Sequence, residues 1–227
     1  MVAKTAEGRS REQLAATYSL ISEWFLYPEE IDPAKLTDEV IAAAEAAAGL
    51  IDPAAADHLR QFHADRETID LDDYLSLLEL NPRCPLYLGS YQFQEPATCS
   101  AAGVSDRNQY MLEIGNVFRH FGFEIQAELP DFLPAVTEFL AMTVGSEGKD
   151  EQLRERFIER LVWPGVRLFA DKLAAEETPY AHLAEALLLC LQNDLGRVPD
   201  PPKPTAKMPP RNGKQPELIQ LEMAGAK

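Results

Sequence analysis

Apolar residues recur three or four positions apart along most of this chain, and that repetition limits its fold more than any other feature. The first such segment carries five of them: Leu14, Tyr18, Ile21, Trp24 and Phe25. This spacing places every member on one face of a helix. Ser10 followed by Gln13 resembles a capping box, so the pattern predicts a first helix that begins at Ser10 and ends at Tyr27-Pro28.

Proline and glycine mark the next helix boundaries. Asp32-Pro33 and Asp52-Pro53 each place a capping carboxylate before a proline suited to the first helical turn. They predict a second and a third helix, with Gly49 ending the earlier one. Leucines and a tyrosine across residues 71–78 predict a short fourth helix.

The helical pattern resumes at residue 105. Ser105 is a good N-cap for a fifth helix that should end at Gly122, and both prolines of the run at residues 129–134 suit the start of a sixth. Residues 145–148 should break that sixth helix, and Pro164-Gly165 should kink or split the long one that follows.

A last helix should run from about Tyr180 to Gly196, and the composition changes after it. Residues 197–216 hold seven of the seventeen prolines. We therefore expect two regions: an all-α bundle of about eight or nine helices over residues 1–196, and a proline-rich, disordered tail over residues 197–227. Leucine, isoleucine and methionine in residues 218–223 allow a short terminal helix.

The chain is acidic, with 21 Lys and Arg against 37 Asp and Glu, a formal charge of −16. The tail sums to +3, so the helical region carries −19. Such a field repels phosphate backbones, which argues against a nucleic-acid partner. Neither a signal-like apolar stretch at the start nor 18 uninterrupted apolar residues elsewhere is found, so we expect a cytoplasmic protein without membrane insertion.

Recognisable catalytic signatures are missing. The sequence contains no Walker loop, GxGxxG, GxSxG, HExxH or paired CxxC motif. His58 and His63 are five apart, which is the wrong spacing for one helix face, so both should be surface histidines. One enzymatic alternative remains, a metal-dependent enzyme that uses Cys84, Cys99 and His120, although buried and inert cysteines are the simpler interpretation.

A long loop rich in aromatic residues separates the fourth and fifth predicted helices. Residues 81–104 are broken by prolines and glycines, yet contain Leu86, Tyr87, Leu88, Tyr91 and Phe93. Loops of this length in a compact domain are usually functional. The loop and the two helices after it also carry an acidic cluster: Glu95, Asp106, Glu113, Glu124, Glu128, Asp131 and Glu138. Acidic and aromatic residues together suit a groove for a peptide with arginines and an apolar stretch.

Four motifs from this region resemble a known family. They are Leu86-Tyr87-Leu88-Gly89-Ser90-Tyr91, Ser105-Asp106-Arg107, His120-Phe121-Gly122 and the run from Glu128 to Pro134. Together they are similar to the NarJ/TorD-type chaperones of molybdenum enzymes, and most of all to the delta-subunit branch. That branch serves nitrate reductase and the related chlorate, selenate, dimethyl sulfide and ethylbenzene enzymes.

The resemblance implies a cytoplasmic chaperone without catalytic residues or a metal of its own. Such a protein binds the apo catalytic subunit of a molybdenum enzyme, often at its signal-like N-terminal leader, and holds it until the molybdenum cofactor is inserted. The cofactor belongs to the client. Many relatives have a histidine where this chain has Phe132, whereas Glu128 and Asp131 match the family motif.

These considerations give a set of candidate client-binding residues. From the acidic and aromatic pattern we expect Tyr87, Tyr91, Glu95, Glu128 and Asp131 to border a groove. The family motifs add three more: Arg107, His120 and Pro130. Besides the enzyme mentioned above, the alternatives are a structural subunit retained in the mature complex and a nucleotide-regulated adaptor, though the sequence has no phosphate loop for the latter.

Overall fold

The computed structural model of the chain describes residues 6–93 and 105–200. Eight helices there have nine or more residues: α1 (Ala6–Phe25), α2 (Asp38–Ile51), α3 (Pro53–Asp65), α6 (Asp106–His120), α7 (Leu133–Thr143), α8 (Lys149–Phe157), α9 (Trp163–Ala175) and α10 (Tyr180–Leu195). Two have four residues, α4 (Leu71–Tyr74) and α5 (Gly89–Gln92). Within these ranges there is no β-strand, so the all-α prediction is confirmed.

Several predicted helix ends are confirmed by their capping geometry. The Asp52 carboxylate accepts a hydrogen bond from the Ala54 N–H at 2.8 Å and starts α3. Ser105 Oγ accepts from the Asn108 N–H at 3.2 Å and starts α6. Gly196 follows α10 with a φ of 64°, a left-handed conformation that favours glycine. Each cap is decided by residues close in sequence, which is why the sequence indicates it.

Three other predicted boundaries are wrong. Ser10 lies inside α1, which starts at Ala6. Pro33 opens only one 3₁₀ turn, Pro33–Lys35, because Thr37 accepts from the Val40 N–H and starts α2 instead. Gly49 lies within α2, where a side chain would contact Ala56 of α3 at 3.5 Å. Gly49 therefore does not end the helix, and an added Cβ there would make only an ordinary van der Waals contact.

The predicted break at Pro164 is confirmed, and the helix that begins there packs against the aromatic loop. Between α8 and α9 lies a π-helical stretch, Ile158–Val162, after which Pro164 falls in the first turn of α9. A Cβ on Gly165 would lie 2.8 Å from Leu88 Cβ. The short helix α5 therefore packs directly on the backbone of α9.

A buried ionic network joins four helices of the bundle. Arg154 of α8 donates to both carboxylate oxygens of Asp194 in α10, at 2.7 Å each, and its Nε donates to Thr143 of α7 at 3.0 Å. The Tyr18 hydroxyl of α1 donates to the same Asp194 carboxylate at 2.8 Å. Burial of this tyrosine, together with Asp194, raises its pKa. The network fixes the registration of these helices from within the core.

Some of the sequence predictions fall on residues outside the described ranges. They concern the proline-rich tail and its terminal helix beyond residue 200, and the part of the aromatic loop at residues 94–104. None of the helices in the described ranges is both long enough and apolar enough to cross a membrane.

Candidate functional site

The aromatic loop docks onto the turn that precedes α7. The Leu88 N–H donates to the Asp131 carbonyl oxygen at 3.0 Å, and the Leu133 N–H donates to the Leu86 carbonyl oxygen at 2.7 Å. These bonds flank an isolated antiparallel bridge between Tyr87 and Phe132. Two of the sequence motifs are thus paired through backbone bonds between residues that are 43 and 47 positions apart.

Asp131 organises this junction from inside the protein. Its side chain is fully buried, and Oδ2 accepts a hydrogen bond from the Gly89 N–H at 2.9 Å. Arg107 Nη2 lies 3.7 Å from the same oxygen, with little of its side chain exposed. Asp131 therefore does not border an open groove as predicted, and Arg107 serves as its internal counter-ion.

Tyr87 and Glu128 form the exposed side of the junction. The Tyr87 hydroxyl donates to Glu128 Oε2 at 2.7 Å, and Glu128 is solvent-exposed. Partial burial, with a further contribution from the bond to Glu128, raises the pKa of Tyr87 above its usual value. The hydroxyl accordingly stays protonated as a donor and orients the carboxylate.

Glu128 lines a cavity of about 230 Å³ between the end of α1 and the start of α7, which we call the acidic groove. Its polar lining residues are Ser22, Glu23, Lys35, Glu124, Gln126, Glu128 and Glu138, and its apolar ones are Leu26, Phe123, Ile125, Phe132, Pro134 and Ala135. Glu23 is buried and forms an ion pair with Lys35. Glu124, Glu128 and Glu138 remain as exposed carboxylates above an apolar floor.

Those of the other predicted client-binding residues that the structure describes line neither this groove nor the larger cleft described next. Tyr91 donates its hydroxyl to the Pro85 carbonyl oxygen at 2.8 Å, and its ring packs on Phe169. Pro130 lies close to Gly115 of α6. His120 is exposed at the end of α6, where it pairs with Asp150 at 2.8 Å. Glu95 falls outside the described residues.

A second, larger cavity of about 410 Å³ lies at the carboxyl end of α1, and we call it the aromatic cleft. Its apolar lining comprises Trp24, Leu26, Pro28, Ile31, Phe62, Ile69, Leu71, Tyr74 and Tyr180. Charged residues complete it: Glu29, Arg66, Glu67 and Asp70. No sequence pattern indicates this cleft, because its walls include residues of α1, α3, α4 and α10, which are distant in the chain.

The cysteines and histidines do not assemble a metal site in the described part of the chain. No group of three or more His, Cys, Asp or Glu side chains there is arranged to hold a metal ion. Cys84 is buried, as predicted, and burial raises its pKa to about 11. His58 is not the surface residue that was predicted: it is half-buried, and its Nδ1 lies 2.9 Å from His182 Nδ1.

Comparison of the chain with protein-family models and with curated proteins finds no match in either set. The fold and the cavities define an all-α protein with an acidic groove beside an aromatic cleft.

Proposed function

We propose that this protein is a cytoplasmic chaperone of the NarJ/TorD type, which binds the apo catalytic subunit of a molybdenum enzyme. The contact is made to a basic and apolar segment of the client, such as its signal-like N-terminal leader. The chaperone holds the subunit while the molybdenum cofactor is inserted into the client. The observation that carries this proposal is the acidic groove, with Glu128 oriented by Tyr87 at its edge.

The composition of the groove suits a segment that contains arginine. Three exposed carboxylates surround the floor that Phe123, Ile125 and Phe132 provide. An ion pair between solvent-exposed groups contributes about 0.2–1 kcal/mol, so two arginine contacts supply at most about 2 kcal/mol. Micromolar binding requires about 8 kcal/mol. The difference must come from apolar contacts, so the client segment has to be apolar as well as basic.

Further support comes from where the family-like motifs meet. The motif at residues 86–91 and the run from Glu128 to Pro134 are joined by backbone hydrogen bonds, and Arg107 of a third motif neutralises the buried Asp131 between them. Of these motif residues, Glu128, Phe132 and Pro134 line the groove, and the backbone pairing with residues 86–88 supports the turn that carries them.

Affinity purification of the full-length protein from its native host would test the proposal. We expect a large catalytic subunit without molybdenum cofactor to co-purify, identified by mass spectrometry and by metal analysis of the complex. Recovery of the chain only with the mature, metal-loaded enzyme would instead indicate a structural subunit. Recovery of no such subunit would contradict the proposal.

A second test uses the charges of the groove. We expect Glu128→Gln combined with Glu138→Gln to weaken binding of the co-purified client by tenfold or more, since each removes a carboxylate that can pair with arginine. The matched control is Glu39→Gln combined with Glu185→Gln, which removes two carboxylates that do not line the groove. Equal affinity of both double variants would refute the assigned site.

A further inference from the structure

We infer that the aromatic cleft binds the apolar stretch of the same client segment whose arginines enter the acidic groove. This inference rests on the proposed function and adds a second binding site to it. The client would then be recognised in two parts, a basic part in one cavity and an apolar part in the other. None of the four sequence motifs includes a residue that lines this cleft.

The floor of the cleft is a preformed cluster of aromatic rings. The Trp24 and Phe62 ring centroids lie 5.1 Å apart, and those of Phe62 and Tyr180 lie 5.3 Å apart. Tyr74 meets Tyr180 edge-on at 6.2 Å, and its hydroxyl donates to the Phe25 carbonyl oxygen at 3.2 Å. These four rings are only 1–5% exposed, so they form a rigid base beneath the cleft, and little ordering is needed on binding. The accessible apolar contacts come from the half-buried Leu26, Ile31 and Ile69 and from the exposed Leu71.

The volume and the walls fit aliphatic or aromatic side chains. A cavity of about 410 Å³ is within the usual range for ligand sites. Leu71 lines this cleft and is 43% exposed, so its side chain is accessible to a bound segment.

The position of the two cavities next to each other and the charges around the cleft indicate which segment it binds. Leu26 lines both the acidic groove and the aromatic cleft, so a single extended segment that crosses this residue reaches the two cavities. Around the cleft, Glu29, Glu67 and Asp70 outnumber Arg66. The cleft therefore favours a segment with basic rather than acidic flanking residues, which matches the chemistry that the groove selects.

Three synthetic peptides would test the inference with the full-length protein. The first carries two arginines followed by six leucines and alanines, the second replaces that apolar run with serine and glycine, and the third replaces the arginines with glutamine. Titrations followed by fluorescence anisotropy would compare the wild type with Leu71→Gln. The matched control is Leu112→Gln, since Leu112 is 62% exposed on α6 and lines neither cavity.

We expect Leu71→Gln to weaken binding of the two peptides with an apolar run, the first and the third, about fivefold, because only these fill the cleft. Binding of the second peptide should be unchanged. Glu128→Gln should weaken binding of the two peptides that contain arginine, the first and the second. A Leu71→Gln protein that binds all three peptides like Leu112→Gln would overturn the inference. So would an apolar run that adds no affinity to the arginine pair.

The two proposals fail in different ways. If the arginine peptide binds in a manner that depends on Glu128 while the apolar run contributes nothing, the cleft is not the second site, although the chaperone function stands. If the full-length protein recovers no molybdenum-enzyme subunit from its host, the proposed function itself fails. Tryptophan emission from Trp24 in a Trp163→Phe background provides an independent readout of cleft occupancy, and an unchanged emission at saturation would count against the inference.

Discussion

The buried carboxylate of Asp131 accepts a hydrogen bond at 2.9 Å from the backbone N–H of Gly89, 42 positions earlier in the chain. This one bond ties the start of the short helix α5 to the turn before α7. It also leaves no space for a side chain at residue 89, since an added Cβ would lie 2.7 Å from Asp131 Oδ2. Both members of the pair are therefore required for the junction beside the acidic groove.

Gly89→Ala should destabilise the protein by about 1–3 kcal/mol, because the methyl group displaces the Asp131 carboxylate and contacts Arg107 at 3.2 Å. Urea unfolding followed by circular dichroism measures the change. Gly115→Ala is the matched control: its Cβ would meet nothing closer than Pro130 Cγ at 3.9 Å, and alanine is the better helix former. The control should be neutral or slightly stabilising, and equal losses for both variants would contradict the steric explanation.

Substitution of Asp131 should reduce the stability of the protein, whereas substitution of Glu128 should reduce its affinity for the client. Asp131→Ala removes a fully buried carboxylate together with its bond to the Gly89 N–H and its contact with Arg107, which should cost about 3–5 kcal/mol. Glu128→Ala removes an exposed carboxylate and should change the free energy of unfolding by less than about 1 kcal/mol. Client affinity should respond to Glu128→Ala in the still-folded protein. A large loss of stability from Glu128→Ala, or none from Asp131→Ala, would refute this division of roles.

Local signals in the sequence account for most helices and for little of the site. The caps at Asp52 and Ser105 and the break at Pro164 depend on residues within a few positions, so pattern alone predicts them. Asp131 was misplaced on the surface because its burial depends on Gly89 and Arg107, which only the folded chain brings to it.

The aromatic cleft shows even more clearly than Asp131 why the sequence alone does not predict the site. Trp24, Phe62 and Tyr180 each fit the apolar face of a separate helix, so sequence treats them as ordinary core residues. Only the way the helix ends meet leaves a cavity between them. Glu124 and Glu138, in contrast, stood out as part of an acidic cluster, and the structure brings both to the acidic groove with Glu128.

The network around Arg154 predicts a large effect from a single core substitution. Arg154→Ala leaves Asp194 buried without its bidentate partner and removes the bond to Thr143, so the loss should be about 3–5 kcal/mol. Arg156→Ala is the matched control on the exposed side of α8, where the expected change is below about 1 kcal/mol. Thermal or urea unfolding checks both, and a difference under about 1 kcal/mol would show that the network contributes little.

The His58–His182 pair should make stability depend on pH near neutrality. Burial, with the proximity of His182, lowers the pKa of His58 in the folded state, although Glu185 and Asp57 oppose the shift. Below the unfolded pKa of about 6.5 the unfolded chain therefore binds a proton that the folded chain resists. The contribution of His58 to stability should fall as the pH drops below that value and should be constant above it.

Substitution of His58 tests this expectation directly. In His58→Gln the decline in the urea midpoint between pH 7 and pH 5 should become shallower than in the wild type, because the group that resists protonation is gone. His63→Gln is the matched control on the same helix, since His63 pairs with Glu45 and leaves the His58–His182 contact intact. If the wild type and His58→Gln give the same slope while both remain two-state, the histidine pair does not control the acid sensitivity of the bundle. A steeper slope in His58→Gln would show that Glu185 and Asp57 outweigh burial at this site.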